Sequence, residues 1–152
     1  MTNSMEAGAE GISITRIFDA PREVVFKAWT TPASFANWFG GQDADIPLDS
    51  CSIDARVGGS WKATMVLPDG ATIDWNGEFT EVVFPERLVL TMRDRPGPDF
   101  EPLTVEFREV DGKTEMKFHQ FGSNMDAAGY EQAGAGWMTF FDTMENAFTG
   151  AT

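Results

Sequence analysis

One histidine, one cysteine and one tyrosine occur in 152 residues, so the chemistry open to this chain is narrow. His119 stands between Phe118 and Gln120 in an alternating run, and the alternation turns it outward, away from any interior cavity where it could act as a general acid or base. Cys51 has the inward parity of its own run and reads as a small buried hydrophobe, because no histidine is positioned to activate it as a nucleophile. Tyr130 is a phenol near the start of the last helical stretch, a group able to give a proton to a developing enolate. A lone histidine builds no multi-histidine metal site, a lone cysteine closes no internal disulfide, and the carboxylates show no ligand spacing. Neither metal nor cofactor is expected.

What the chain has in excess is aromatic rings, with 13 Phe and 5 Trp beside the single Tyr. On the inward parity fall Trp61, Met65, Trp75, Phe79, Phe107 and Phe118 from strands, with Trp137 and Phe141 from the final helix. These residues either fill a solid core or line a cavity between helix and sheet, and together with Gln120 they form the candidate ligand-binding set. Trp61 and Trp75 each carry an indole N–H that needs an acceptor if buried, which a polar ligand atom or a water would supply. Gln120 is the strongly polar residue on the inward parity of the last strand, so its amide either bonds backbone groups near Phe121-Gly122 or meets a ligand. Arg16 shares the parity of Ile14 and Phe18. It either sits at the cavity mouth, or snorkels to solvent or pairs with a carboxylate such as Asp19.

The elements that must position these residues follow from periodicity. Ile12, Ile14 and Phe18 mark a strand, and Ala20-Pro21 opens a short helix through about Thr30, with Val24/Ala28 and Val25/Trp29 as four-apart pairs. Thr31-Pro32 starts a second helix carrying Phe35, Trp38 and Phe39, which Gly40-Gly41 ends. Period-two alternation then runs to Phe121, implying about six antiparallel strands. Cys51, Ile53 and Ala55 share one face of the first. Pro68-Asp69-Gly70, Pro85-Glu86 and Asp111-Gly112 supply turns, and a parity break predicts a bulge between Phe79 and Val82. The Pro-rich stretch from Arg95 to Pro102 reads as a mobile loop that roofs a cavity. Ser123 with Asp126 resembles a capping box before a long helix in which Ala133, Trp137, Phe140, Phe141, Met144 and Phe148 form one bulky stripe. Gly134 and Gly136 within that helix imply a kink or a close approach of the sheet. The same helix carries Asp126, Glu131, Asp142 and Glu145, read as a solvated face.

One domain of ordinary size accounts for the length, with a curved sheet around a helix in the α+β class. Residues 1–11 read as a loose, flexible tail with neither a signal peptide nor an anchor, and 12–149 as the domain. No run of apolar residues is long enough to cross a membrane, which points to the cytoplasm. With 11 Lys and Arg against 24 Asp and Glu the net charge is −13, an acidic field that repels phosphate backbones and excludes nucleic acid as a partner.

The order of motifs resembles a known family. Ile14-Thr15-Arg16-Ile17-Phe18-Asp19-Ala20-Pro21, Val25 to Pro32, Trp38-Phe39-Gly40, Asp54 to Trp61, Gly77 to Val82 with Pro85 to Leu88, Thr114 to Phe118, Gly136-Trp137 and Asp142 to Met144 are similar to the heat-shock protein 90 ATPase activator-like family, of the START-like or SRPBCC superfamily. The resemblance covers residues 12–149. It implies a helix-grip fold, in which a curved antiparallel sheet holds the C-terminal helix around an apolar cavity, with two short helices after the first strand. The first functional expectation is therefore a small-molecule binding protein taking an apolar or aromatic ligand. The second is a cyclase- or hydrolase-like enzyme that moves a proton on such a ligand through Tyr130, Arg16 or a bound water. The third is a chaperone-interacting module, although the separate N-terminal chaperone-binding module of eukaryotic activators is not expected here. The chain is expected to act as a monomer or homodimer.

Overall fold

Alternation of apolar residues builds the sheet. The computed structural model describes residues 3–94, 101–121 and 125–149, among which eight strands form one antiparallel sheet. In chain order these are β1 (Ser4–Gly8), β2 (Gly11–Phe18), β3 (Ser52–Ile53), β4 (Ser60–Val66), β5 (Thr72–Val83), β6 (Arg87–Met92), β7 (Glu101–Val110) and β8 (Lys113–Gln120). Their spatial order is β1-β2-β8-β7-β6-β5-β4-β3. Helices α1 (Arg22–Thr30) and α2 (Pro32–Trp38) follow β2, and the long α3 (Ala127–Thr149) closes the chain over the sheet. This is the helix-grip arrangement.

The inner face of the sheet is read off by parity: Ile12, Ile14, Arg16 and Phe18 on β2, Leu103, Val105 and Phe107 on β7, and Thr114, Met116, Phe118 and Gln120 on β8 are all buried. Phe118 pairs with Ile14 on one side and Val105 on the other, which seats it at mid-sheet beneath α3. Helix α1 turns Val25, Phe26, Ala28 and Trp29 inward, and its Glu23 and Lys27 lie at the ends that suit the helix dipole. Pro32 occupies the first turn of α2, and Phe35 and Trp38 are its buried face. The Asp111-Gly112 turn takes positive φ at both residues, 52° and 79°, as a two-residue hairpin requires. A register shift between Phe79 and Glu81 supplies the bulge that the broken parity predicts.

Five local expectations are corrected. Residues 4–8 are an edge strand and not a loose tail: β1 pairs with β2 from Ser4↔Thr15 to Gly8↔Gly11, and Met5 and Ala7 face α3. Short polar and small residues hid this strand, whose partner is supplied by the following hairpin arm. The strand expected from Cys51 shrinks to Ser52–Ile53, because Asp54 and Arg56 turn back on themselves through Arg56 N–H to Asp54 O at 2.9 Å. Residues 95–100 of the expected loop lie outside the described residues, but Glu101 and Pro102 begin β7. Pro102 is tolerated there because pairing with β8 starts one residue later, at Leu103↔Gln120.

The last two corrections concern α3. Asp126 is itself the cap, its Oδ1 accepting the Gly129 N–H at 2.8 Å, and Ser123 lies outside the described residues. The close approach belongs to Gly134, where a Cβ would meet Met5 Sδ at 3.1 Å and Ala7 Cβ at 3.5 Å, whereas a Cβ on Gly136 would face open space.

Candidate functional site

Beneath the N-terminal half of α3, four polar side chains meet in the core. Gln120 ends β8 and Glu101 begins β7, so both stand at the same end of the sheet, and Tyr130 and Trp137 descend from α3 two turns apart. Trp137 Nε1–H donates to Gln120 Oε1 at 2.8 Å. Because an indole N–H only donates, this bond fixes the amide orientation and turns Gln120 Nε2 toward Glu101, where it donates to Oε2 at 3.3 Å. The Tyr130 hydroxyl lies 3.1 Å from each Glu101 oxygen. All four residues are buried, Tyr130 completely and Glu101 to 7% exposure.

Aromatic rings continue from this network into the core. The Trp137 ring is 4.6 Å from Phe118 and 5.6 Å from Phe141, centroid to centroid, and Trp29 stacks at 6.1 Å on both Phe118 and Trp137. Trp38 packs edge-on to Trp29 at 4.8 Å and passes its own Nε1–H to Ala28 O at 2.8 Å. The Trp29 indole N–H is buried and has no acceptor among the described residues.

Of the expected ligand-binding residues, Phe118, Gln120, Trp137 and Phe141 thus come together under α3. Trp61, Met65 and Trp75 lie toward the β4–β5 side: Trp61 packs edge-on to Phe35 and Phe39 of the α2 end, Trp75 to Phe39, and Phe39 links them to Trp137 at 6.0 Å. Met65 is buried on β4 beside Trp61 and Ala63. Trp61 Nε1–H is satisfied by Thr91 O at 2.8 Å, while that of half-buried Trp75 finds no acceptor among the described residues. Phe107 packs against Phe26 of α1, 5.5 Å away, and Phe79 is buried at the bulge opposite Leu90.

Arg16 pairs with carboxylates, as one of its expected alternatives has it, but it does so buried and with partners on α3 in place of Asp19. Its guanidinium is buried against the C-terminal half of α3, donating to Asp142 Oδ1 at 2.9 Å, Glu145 Oε1 at 3.2 Å and Met138 O at 3.4 Å. Two carboxylates read as a solvated face therefore anchor the helix. His119 lies on the outer face, with Nδ1 3.0 Å from Ser13 Oγ and its ring stacked on Phe121. Burial pushes the Cys51 thiol up from its ordinary value, which disfavours the thiolate. Among the described residues no three His, Cys, Asp or Glu side chains converge to hold a metal ion, and no helix is long and apolar enough to cross a membrane.

Glu101 is the residue that sequence reading missed. It shares the parity of Leu103, Val105 and Phe107, and extending that alternation by one step places it inward, but the prolines before and after it argue for a loop. Trp29 and Trp38 were legible as helix-face residues and not as neighbours of Trp137.

The sequence model for the Activator of Hsp90 ATPase homolog 1-like protein family matches residues 19–149. Among solved structures, a protein of Chromobacterium violaceum superposes with a TM-score of 0.82 at 23% identity, covering 91% of this chain and 96% of that one. The AHSA1-like protein of Aeromonas hydrophila gives 0.73 at 26% identity, over 92% and 95% of the two chains. The AHSA1 protein of Silicibacter pomeroyi gives 0.78 at 20% identity, over 92% and 98%. No curated protein matches the sequence significantly.

Proposed function

Because the chain belongs to the Activator of Hsp90 ATPase homolog 1-like family, we propose that it is a small-molecule binding domain that holds an apolar or aromatic ligand between the sheet and α3. The observation that carries this reading is the Trp137–Gln120–Glu101–Tyr130 network, four polar groups buried side by side against a wall of rings. An apolar core would hold helix to sheet without desolvating an amide, a phenol and a carboxylate. A few convergent polar groups amid aromatic side chains are what an orienting ligand site needs. Gln120, Trp137, Phe118 and Phe141 are its centre, and the Trp61, Met65 and Trp75 group its flank.

A second reading, an enzyme moving a proton on the same ligand, draws on one observation: the Tyr130 hydroxyl lies against a carboxylate that can take or return its proton. Arg16 has no part in it, since its guanidinium is engaged by α3. The two readings separate with Tyr130→Phe, which removes turnover and leaves affinity in an enzyme, whereas a carrier answers mainly to changes of apolar volume. A chaperone partner would engage the outside of the domain whatever the core substitutions do. The test of binding is mass spectrometry of small molecules released from the purified native protein, with titration of the neutral probe Nile red. A recurring released species, or saturable probe uptake by natively folded protein, is expected. Uptake of neither defeats the proposal.

A further inference from the structure

Glu101 is 7% exposed, and its carboxylate is held by neutral donors alone, the Tyr130 hydroxyl and the Gln120 amide. Among the described residues it has no ion pair, although Arg16, buried under the same helix, has two. A carboxylate removed from water without a counter-charge keeps a desolvation cost that two neutral hydrogen bonds do not offset. With roughly four lone-pair positions on its two oxygens, it also retains capacity for another donor. Neither protein donor is free to improve the match, because Gln120 is locked by Trp137 and the phenol is already shared between both oxygens. The neighbouring surface is aromatic, with Trp137 backed by Phe118 and Trp29, and electron-rich faces beside an anion suit a positive charge.

We infer that the ligand's polar end is a protonated amine and that Glu101 is the residue recognising it, the amine carrying an apolar or aromatic body into the rings beneath α3. This rests on the binding reading above and adds its ligand class. The ammonium would give the carboxylate both a counter-charge and a charge-assisted hydrogen bond, and Gln120 and Tyr130 are positioning residues that hold the carboxylate in place. An uncharged alcohol of the same shape supplies only a neutral hydrogen bond. A carboxylic acid brings like charge to like.

The test titrates the full chain with 2-phenylethylamine, 2-phenylethanol and 3-phenylpropanoate by calorimetry, with Nile red as a neutral control. The amine is expected to bind about tenfold or more tighter than the alcohol, and the acid most weakly. Glu101→Gln keeps shape and neutral hydrogen bonding, and should bring amine and alcohol within about twofold of each other. Tyr130→Phe keeps the carboxylate and should keep the amine preference. Equal binding of amine and alcohol by the wild type, with Nile red still taken up, overturns the amine assignment and leaves the binding reading standing. Preference retained in Glu101→Gln but lost in natively folded Tyr130→Phe overturns the role of Glu101. Failure of all three ligands and Nile red to bind removes the binding reading, and the amine with it.

Discussion

The two ends of α3 bury opposite charges and treat them differently. At the C-terminal end Arg16 meets Asp142 and Glu145, carboxylates whose side chains are 67% and 40% exposed and so remain well hydrated while they neutralise it. At the N-terminal end Glu101 meets a phenol and an amide. The first arrangement is an anchor whose counter-charge the chain itself supplies, although Arg16 Nε finds no acceptor among the described residues. The second leaves a charge for something else to answer. Buried charge is thus informative through its partners: where the protein supplies the counter-charge the group holds the fold, and where it does not, the fold bears a cost that a bound counter-charge would remove.

Substitutions at each end break or sharpen this contrast. The largest effect should come from Trp137→Ala, which truncates a buried ring and strips Gln120 Oε1 of its donor. It should cost about 3–5 kcal/mol in chemical denaturation and enlarge the space beneath α3. If Nile red binds that variant only after near-ultraviolet circular dichroism is lost, and never binds the wild type, the aromatic stripe is solid core.

Next comes the anchor. Asp142→Asn combined with Glu145→Gln leaves Arg16 buried and unneutralised, and should lower stability by about 3 kcal/mol, more than Arg16→Met alone, whose abandoned carboxylates simply return to water. A double variant as stable as wild type would end the anchor assignment.

Glu101→Gln should behave in the opposite sense. In unliganded protein it removes the unneutralised charge while keeping a shape that accepts from Tyr130, so the melting temperature is expected to hold or rise, by up to about 1 kcal/mol in stability. A loss of about 3 kcal/mol or more there would make Glu101 a second anchor and erase the contrast between the ends. The smallest effect belongs to His119→Ala on the outer face, expected within about 0.5 kcal/mol and without consequence for probe binding.

Much of the fold was legible because strand and helix periods are local. The alternations in β2, β4, β7 and β8, the Asp111-Gly112 turn, the bulge after Phe79 and the stripe of α3 need only a few neighbouring residues to be recognised. The misreadings arose where a local signal competes with a distant partner. Residues 4–8 have weak strand propensity and become β1 through pairing with β2 and contact with α3 at Gly134. Pro102 argues for a loop until the register shows that β8 does not need its missing N–H.

The sequence by itself determined which faces are apolar, where the chain turns, the acidic surface, the narrow set of reactive side chains and, through the order of its motifs, the family. Only the tertiary structure decided which polar residues meet. Arg16 and Asp142 are 126 positions apart, Trp137 and Gln120 17, and Tyr130 and Glu101 29. Parity states that a side chain points inward, but what it finds there depends on strand register and on how α3 crosses the sheet. For an apolar residue that hardly matters, since burial against any neighbour is favourable. For a charge it decides everything, because whether Arg16 is an anchor and Glu101 a recognition group is set by the two or three partner atoms within 3.5 Å of each.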